Sequence, residues 1–253
     1  MAHEEHPFKL SISESELELL HKKLDLARFP DELEEAGWDY GAPLADVRRL
    51  AERWKNGFDW RAAEAKINKL PQFTRDIDVD RFGTLNIHYV HVKSEAKDAI
   101  PLLFVHGWPG HFLEASKILP LLTSTGEHPS FHVVALSLPG YGFSEGSKKI
   151  GFSVVQYAEV GHKLMLALGY KEYIVQGGDW GHIICHTAAH LYGPKHVKAW
   201  HTNLPLWMRT TGNVVYESEH PAGGHFAAYE QPEALVGDLR EMFRKPELAQ
   251  LFK

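Results

Sequence analysis

A chain of 253 residues is long enough for one substantial core and a smaller appendage. With 44% apolar and 24% charged residues and a net charge of −6, it reads as a soluble globular protein with no broad basic field for nucleic acid. The single cysteine, Cys185, excludes an internal disulfide and suits a reducing compartment. No run of about 18 apolar residues is present, so no membrane span is expected. Residues 1–6 have neither a basic region nor an apolar core, so no signal peptide is expected. A cytoplasmic setting is the default.

Residues 1–75 read as helical. Ser13-Glu14-Ser15-Glu16 opens a helix whose apolar stripe is Leu17, Leu19, Leu20, Leu24 and Leu26, and Pro30 stops it after Phe29. Pro43 opens a second helix through Val47, Leu50 and Trp54. Asn56-Gly57 ends it, and Asp59 is set to cap a third from Trp60 to Leu70. Trp38, Trp54 and Trp60 read as packing residues rather than a binding cage. The segment shows no strand of its own.

From about Arg75 the period changes. Leu85 to Val92 alternates, as an outer, half-buried strand would, with Leu85, Ile87 and Tyr89 on one face. His88 and His91 read as ordinary strand residues. Pro101 to Val105 is a continuous apolar run, expected for a central parallel strand. It ends in His106-Gly107-Trp108-Pro109-Gly110, before a helix from Phe112 to Leu122. Phe131 to Leu136 is another buried strand, ending in Leu138-Pro139-Gly140-Tyr141-Gly142-Phe143-Ser144. A helix through Tyr157, Val160, Leu164 and Leu168 leads to strand Tyr173-Ile174-Val175, then Gln176-Gly177-Gly178-Asp179-Trp180-Gly181 and a helix to Tyr192. Strands follow at 197–203 and at Asn213-Val214-Val215-Tyr216-Glu217. The turn His220-Pro221-Ala222-Gly223-Gly224-His225-Phe226 comes next, then a closing helix from Pro232 to about Phe243. Alternating strands and helices predict α/β layering with right-handed crossovers. In such sheets active groups gather at the carboxyl ends of the strands, where the turns at 106–110, 138–144 and 177–181 all fall.

Gly177-Gly178-Asp179-Trp180-Gly181 has the strand–turn–helix grammar of a nucleophile elbow, with aspartate where serine is usual. A carboxylate is ionised at neutral pH and attacks without a base. Alone, Gly-x-Asp-x-Gly is a weak pattern, because acids beside glycines fill many turns. His225, after the last expected strand, has backbone room to lean into a site as the base, and equally reads as a surface-turn residue. The amides of Trp108 and Trp180 stand where such folds place oxyanion donors. His182, Cys185, His186 and His190 share helical spacing that mimics metal ligands. Their helix is expected in the core with no completing carboxylate, so no metal is assigned. Neither a Walker lysine pattern nor Gly-x-Gly-x-x-Gly is present, and no cofactor is expected.

Together, His106-Gly107-Trp108-Pro109, residues 138–144, Gly177-Gly178-Asp179-Trp180-Gly181 and the run from Gly223 to Pro232 resemble the epoxide hydrolases of the α/β-hydrolase superfamily. The branch is the one with a helical N-terminal extension. The resemblance implies an α/β-hydrolase fold, residues 1–75 as an extension wrapping a core at 76–253, and a small-molecule epoxide as substrate. It implies that Asp179 attacks an epoxide carbon to form an alkyl ester, that His225 activates a water against it, and that the Trp108 and Trp180 amides hold the oxyanion. A cis bond before Pro109 is also implied. A haloalkane dehalogenase, which also uses an elbow aspartate, is the alternative within hydrolases. A non-catalytic remnant or regulatory partner of a full-length enzyme is the alternative outside catalysis.

Ten steps separate Asn203 from Asn213, whereas a parallel crossover needs about a dozen residues or more. The family's helical cap, a further strand and the acid that orients the histidine have no room there, and residues 204–212 contain no Asp or Glu. No acid partner for His225 and no cap tyrosine is found. The interval resembles a deletion junction, and the uncovered site, lined by Trp108, Phe143 and Trp180, is expected to promote self-association. Arg81, in the turn before the alternating strand, stands where a turn-friendly residue is expected.

Overall fold

The computed structural model describes residues 4–204 and 212–252. Two compact units divide the chain, one formed by Met1–Phe8 with Pro71–Lys253, the other by Lys9–Leu70.

In the smaller unit the helical signals act as read. Helix α1, Glu14–Asp25, is capped by the Ser13 side chain, which accepts from the Glu16 amide. Helix α2, Leu44–Asn56, follows Pro43. Helix α3, Trp60–Ile67, is capped by Asp59, which accepts from the Ala62 amide at 2.9 Å. Asn68 pairs with both the amide and the carbonyl of Leu10 at 2.8 Å each, and Arg61 reaches Glu14 and Glu64. Two expectations are corrected. Helix α1 ends at Asp25, before Phe29. Trp38 and Trp54 are 69% and 49% exposed rather than packed, and none of the three helices has a fully buried residue.

The larger unit is built on a seven-stranded sheet among the described residues. Its strands are β1 (His6–Pro7), β2 (Gln72–Val79), β3 (Gly83–Val92), β4 (Ile100–Val105), β5 (Phe131–Leu136), β6 (Tyr173–Gly177) and β7 (Val197–His201), in the order β1-β2-β3-β5-β4-β6-β7. Antiparallel pairing joins β1 to β2, β2 to β3 and β3 to β5, and parallel pairing joins the rest. Five strands therefore point one way, giving the mostly parallel sheet expected. Residues 1–75 do contain strand: β1, and the start of β2. The charges Arg75, Asp76 and Asp78 mask β2's alternation, yet Arg75, Ile77 and Val79 all lie inward. Because β2 covers it, β3 is an interior strand, buried on both faces from His88 to His91, not an outer one.

Alternate residues of β4 serve the two faces. Leu103 and Val105 pack with Val134, Leu136 and Val175 beneath α5 (Val154–Ala167) and α6 (Trp180–Tyr192). Cys185 lies in this layer, and burial pushes its thiol far up. On α6, the His182 ring bonds the Thr202 hydroxyl at 3.0 Å. The 3₁₀ turn Phe112–Ser116, the short α4 (Leu119–Thr123) and the longer α8 (Pro232–Arg244) follow in chain order, with the one-turn α7 (Ala227–Glu230) before α8 and α9 (Pro246–Ala249) after it. Here α4 packs on β5 and on α8, and the Phe131 and Phe243 rings meet at 6.1 Å.

The strand expected at 213–217 is absent among the described residues, which leaves β7 at the sheet edge. Ten steps are too few to cross over a parallel sheet. The segment is tied to α8 instead: the Tyr216 hydroxyl donates to Asp238 at 3.1 Å, and His220 Nε2 lies 2.8 Å from the same carboxylate. The interval 204–212 lies mostly outside the described residues.

Candidate active site

Strands β4, β5 and β6 run parallel, so the turns that follow them open at one rim. The first two are locked by His106, which is buried. Its Nδ1–H donates to the Gly107 carbonyl at 3.0 Å, and its Nε2 accepts the Leu138 amide at 3.1 Å. This needs a neutral imidazole, and burial lowers the His106 pKa to about 4. The third turn is fixed by close packing. A side chain on Gly181 would collide with the Val105 carbonyl oxygen, so the first turn of α6 can lie against β4 only with glycine there.

Asp179 is held in that turn at φ 52 and ψ −127, a conformation that costs a non-glycine residue energy and is concentrated at functional sites. Its Oδ1 accepts the Trp108 amide at 2.7 Å. The Trp108–Pro109 bond is cis. Trp180 begins α6, so its amide is one of the N–H groups a helix start leaves without a helical acceptor. The Trp108 and Trp180 side chains are 61% and 46% exposed. Phe143 is half-buried against Phe8.

His225 comes to the same rim as Asp179. It lines one small cavity with Asp179, Glu114, Gln176 and Asn203. Among the described residues its ring has no carboxylate partner; Asp238 of α8 is engaged by His220. Sequence reasoning named Asp179, Trp108, Trp180 and His225 but not Glu114, Gln176 or Asn203. Glu114 lies outside the turn that draws attention, and Gln176 reads as part of a strand. Among the described residues no group of three or more metal-binding side chains forms, and no helix is long and apolar enough to cross a membrane.

With this geometry in hand, comparison with known proteins is specific. Residues 100–232 match the model described as alpha/beta hydrolase fold, and residues 5–115 match the one described as Epoxide hydrolase N terminus. The chain belongs to the α/β-hydrolase fold family. Within it, the relatives the chain is similar to are epoxide hydrolases. It is 38% identical over 246 residues to Epoxide hydrolase 1 of Sus scrofa, covering 94% of this chain and 53% of that protein. To Epoxide hydrolase 1 of Oryctolagus cuniculus it is 40% identical over 244 residues, covering 93% and 52%. Among solved structures, juvenile hormone epoxide hydrolase from the silkworm Bombyx mori superposes with a TM-score of 0.70 at 31% identity, over 80% of this chain and 53% of that one. The Aspergillus niger epoxide hydrolase gives 0.67 at 32%, over 87% and 55%. This α/β-hydrolase thus spans about half the length of the curated relatives it matches.

Proposed function

We propose that this α/β-hydrolase opens epoxides through a covalent ester, and that its second half-reaction is impaired. The observation that carries the reading is the Asp179 carboxylate on a strained elbow, accepting the Trp108 amide. An ionised Oδ of Asp179 attacks an epoxide carbon; the C–O bond breaks, and the ring oxygen leaves as an alkoxide that takes a proton from water. His225 then removes a proton from a water as its oxygen bonds to Asp179 Cγ. The Trp108 and Trp180 amides stabilise the tetrahedral oxyanion; as it breaks its Cγ–O(alkyl) bond the alkoxide takes the proton from His225 to become the diol, and the Asp179 carboxyl gives its remaining proton to water.

Two parts of this chemistry lack support in the chain. With no carboxylate bonded to it among the described residues, the His225 ring has no fixed tautomer; losing the acid's function in serine proteases costs about 10⁴ in kcat. With no cap over the rim among the described residues, the leaving oxygen lacks a protein acid there and the site admits water. The ten-step link between Asn203 and Asn213 and the half-length match to the relatives point to an internal segment dropped between β7 and the His225 turn. The lone Cys185 is compatible with a cytosolic setting.

The test is intact-mass spectrometry of the purified 253-residue chain after incubation with an epoxide such as styrene oxide. A single adduct that maps to Asp179, is lost in Asp179→Asn, and decays slowly is the expected result. No adduct at any concentration overturns the reading in favour of a non-catalytic remnant. An adduct with haloalkanes but not epoxides assigns dehalogenase chemistry instead. Turnover matching a full-length relative refutes the impairment.

A further inference from the structure

The cavity beside Asp179 holds two buried oxygens that the chemistry above does not use. Glu114 follows the rim turn, on the 3₁₀ turn Phe112–Ser116. Its Oε1 is buried and has no hydrogen-bond partner among the described residues. That oxygen lies over Gly110, where any Cβ would collide with it; the glycine makes the space the carboxyl occupies. Gln176, at the end of β6, is 1% exposed. Its Nε2 donates to Asn203 Oδ1 at 3.3 Å, while its Oε1 is likewise buried without a partner among the described residues. Both side chains line the cavity that Asp179 and His225 share.

Buried oxygens in native proteins are nearly always satisfied by protein or by ordered water. With Glu114 ionised these two are both acceptors, so neither satisfies the other, and a water has one O–H for each. The cavity has room for about one water, and its wall is polar, the two conditions for a buried hydration site.

We propose that Glu114 and Gln176 bind the hydrolytic water, and that Glu114 serves as a second base for it beside His225. The inference rests on the ester mechanism proposed above. The water donates one O–H to Gln176 Oε1, which fixes its orientation, and the other to Glu114 Oε1. As its oxygen bonds to Asp179 Cγ, the second proton passes to the Glu114 carboxylate. The tetrahedral intermediate then breaks its Cγ–O(alkyl) bond, and the departing alkoxide takes the proton back from Glu114. Electrostatics favour this order. Burial, with the Asp179 charge adding to it and the His111 backbone opposing it, raises the Glu114 carboxyl to about 7. Esterification removes the Asp179 charge, so Glu114 ionises more readily in the covalent intermediate, where a base is needed. A base titrating near the working pH is the efficient one.

The test follows adduct formation and decay by intact mass in His225→Gln and in His225→Gln/Glu114→Gln, with styrene oxide at pH 6, 7 and 8. Ester decay in His225→Gln is expected to quicken with pH across this range. In the double variant it is expected to be about tenfold slower at pH 8 and flat with pH, the size of one general base at the low end. Adduct formation should stay within about twofold, because attack by Asp179 needs no base. Glu114→Asp in place of Glu114→Gln should restore part of the pH dependence, which a purely structural role would not. Equal decay in the single and double variants, or equal slowing of both steps, overturns the proposal. If no adduct forms in the unaltered chain, the ester mechanism itself has failed. The site is then read separately from a high-resolution crystal structure, where a water within hydrogen-bond distance of both Glu114 and Gln176 sustains the binding site and a dry cavity ends it.

Discussion

The Trp108 amide donates to Asp179 Oδ1 at 2.7 Å, joining the turn after β4 to the turn after β6. In the proposed mechanism the donor that orients the carboxylate also serves the oxyanion once that carboxylate is esterified, so little would move between the two half-reactions.

This closeness depends on Gly107. A Cβ there would lie 2.5 Å from Asp179 Oδ1 and 2.7 Å from its Cβ, so Gly107→Ala must displace the Asp179 side chain. Adduct formation with an epoxide is expected to slow about tenfold or more, equivalent to about 1.4 kcal/mol in the barrier. Circular dichroism should remain unchanged. Intact-mass time courses check it, and an unaltered rate would show that the carboxylate position is not critical.

The lock between the first two rim turns makes the fold acid-sensitive. Burial holds His106, and His88 with it, down at about 4, against about 6.5 in an unfolded chain. A histidine whose folded pKa is lowered takes up its proton in the unfolded state first. The stability from these neutral rings is therefore complete above about pH 6.5 and is lost as pH falls from there towards about 4. Urea unfolding midpoints should drop between pH 7 and pH 5. His106→Ala, which leaves the buried Leu138 amide without its acceptor, should cost about 1–3 kcal/mol at pH 7 and make the remaining pH dependence shallower.

The uncovered rim should associate. Trp108 and Trp180 expose 61% and 46% of their surface beside Asp179, and contiguous exposed apolar surface marks an interaction or aggregation site. Sedimentation velocity should show concentration-dependent association of the chain. Replacing both indoles by serine should weaken it about tenfold or more. An unchanged profile would place the contact elsewhere, or show that the chain is monomeric.

Arg81 has a conformation that suits it poorly. It sits in the turn between β2 and β3 at φ 70, where most side chains are strained and asparagine is tolerated. Its carbonyl, which accepts from Lys149 Nζ at 2.9 Å, is kept by any residue. Arg81→Asn is therefore expected to stabilise the chain by about 0.5–1 kcal/mol, read as a higher melting temperature with ester formation unchanged.

Much of this protein is written in local signals. Capping by Ser13 and Asp59, the apolar runs that became β4, β5 and β6, and the glycines of the elbow act through neighbours a few residues away, so they are legible in sequence order. The resemblance to epoxide hydrolases rests on such stretches, and the ten-step gap that excludes a further strand and a cap is a matter of chain length alone. What the sequence did not reveal depends on residues far apart. Strand β2 is hidden by its charges until pairing with β3 turns Arg75, Ile77 and Val79 inward, and that pairing is what makes β3 an interior strand. Glu114 and Gln176 lie 62 positions apart and meet only because β4 and β6 are parallel neighbours; their shared cavity and unpaired oxygens exist only in three dimensions. The sequence determined which groups could react, since chemistry belongs to residue types. Tertiary structure decided which of them are buried together, because burial and hydrogen bonding are properties of neighbours in space.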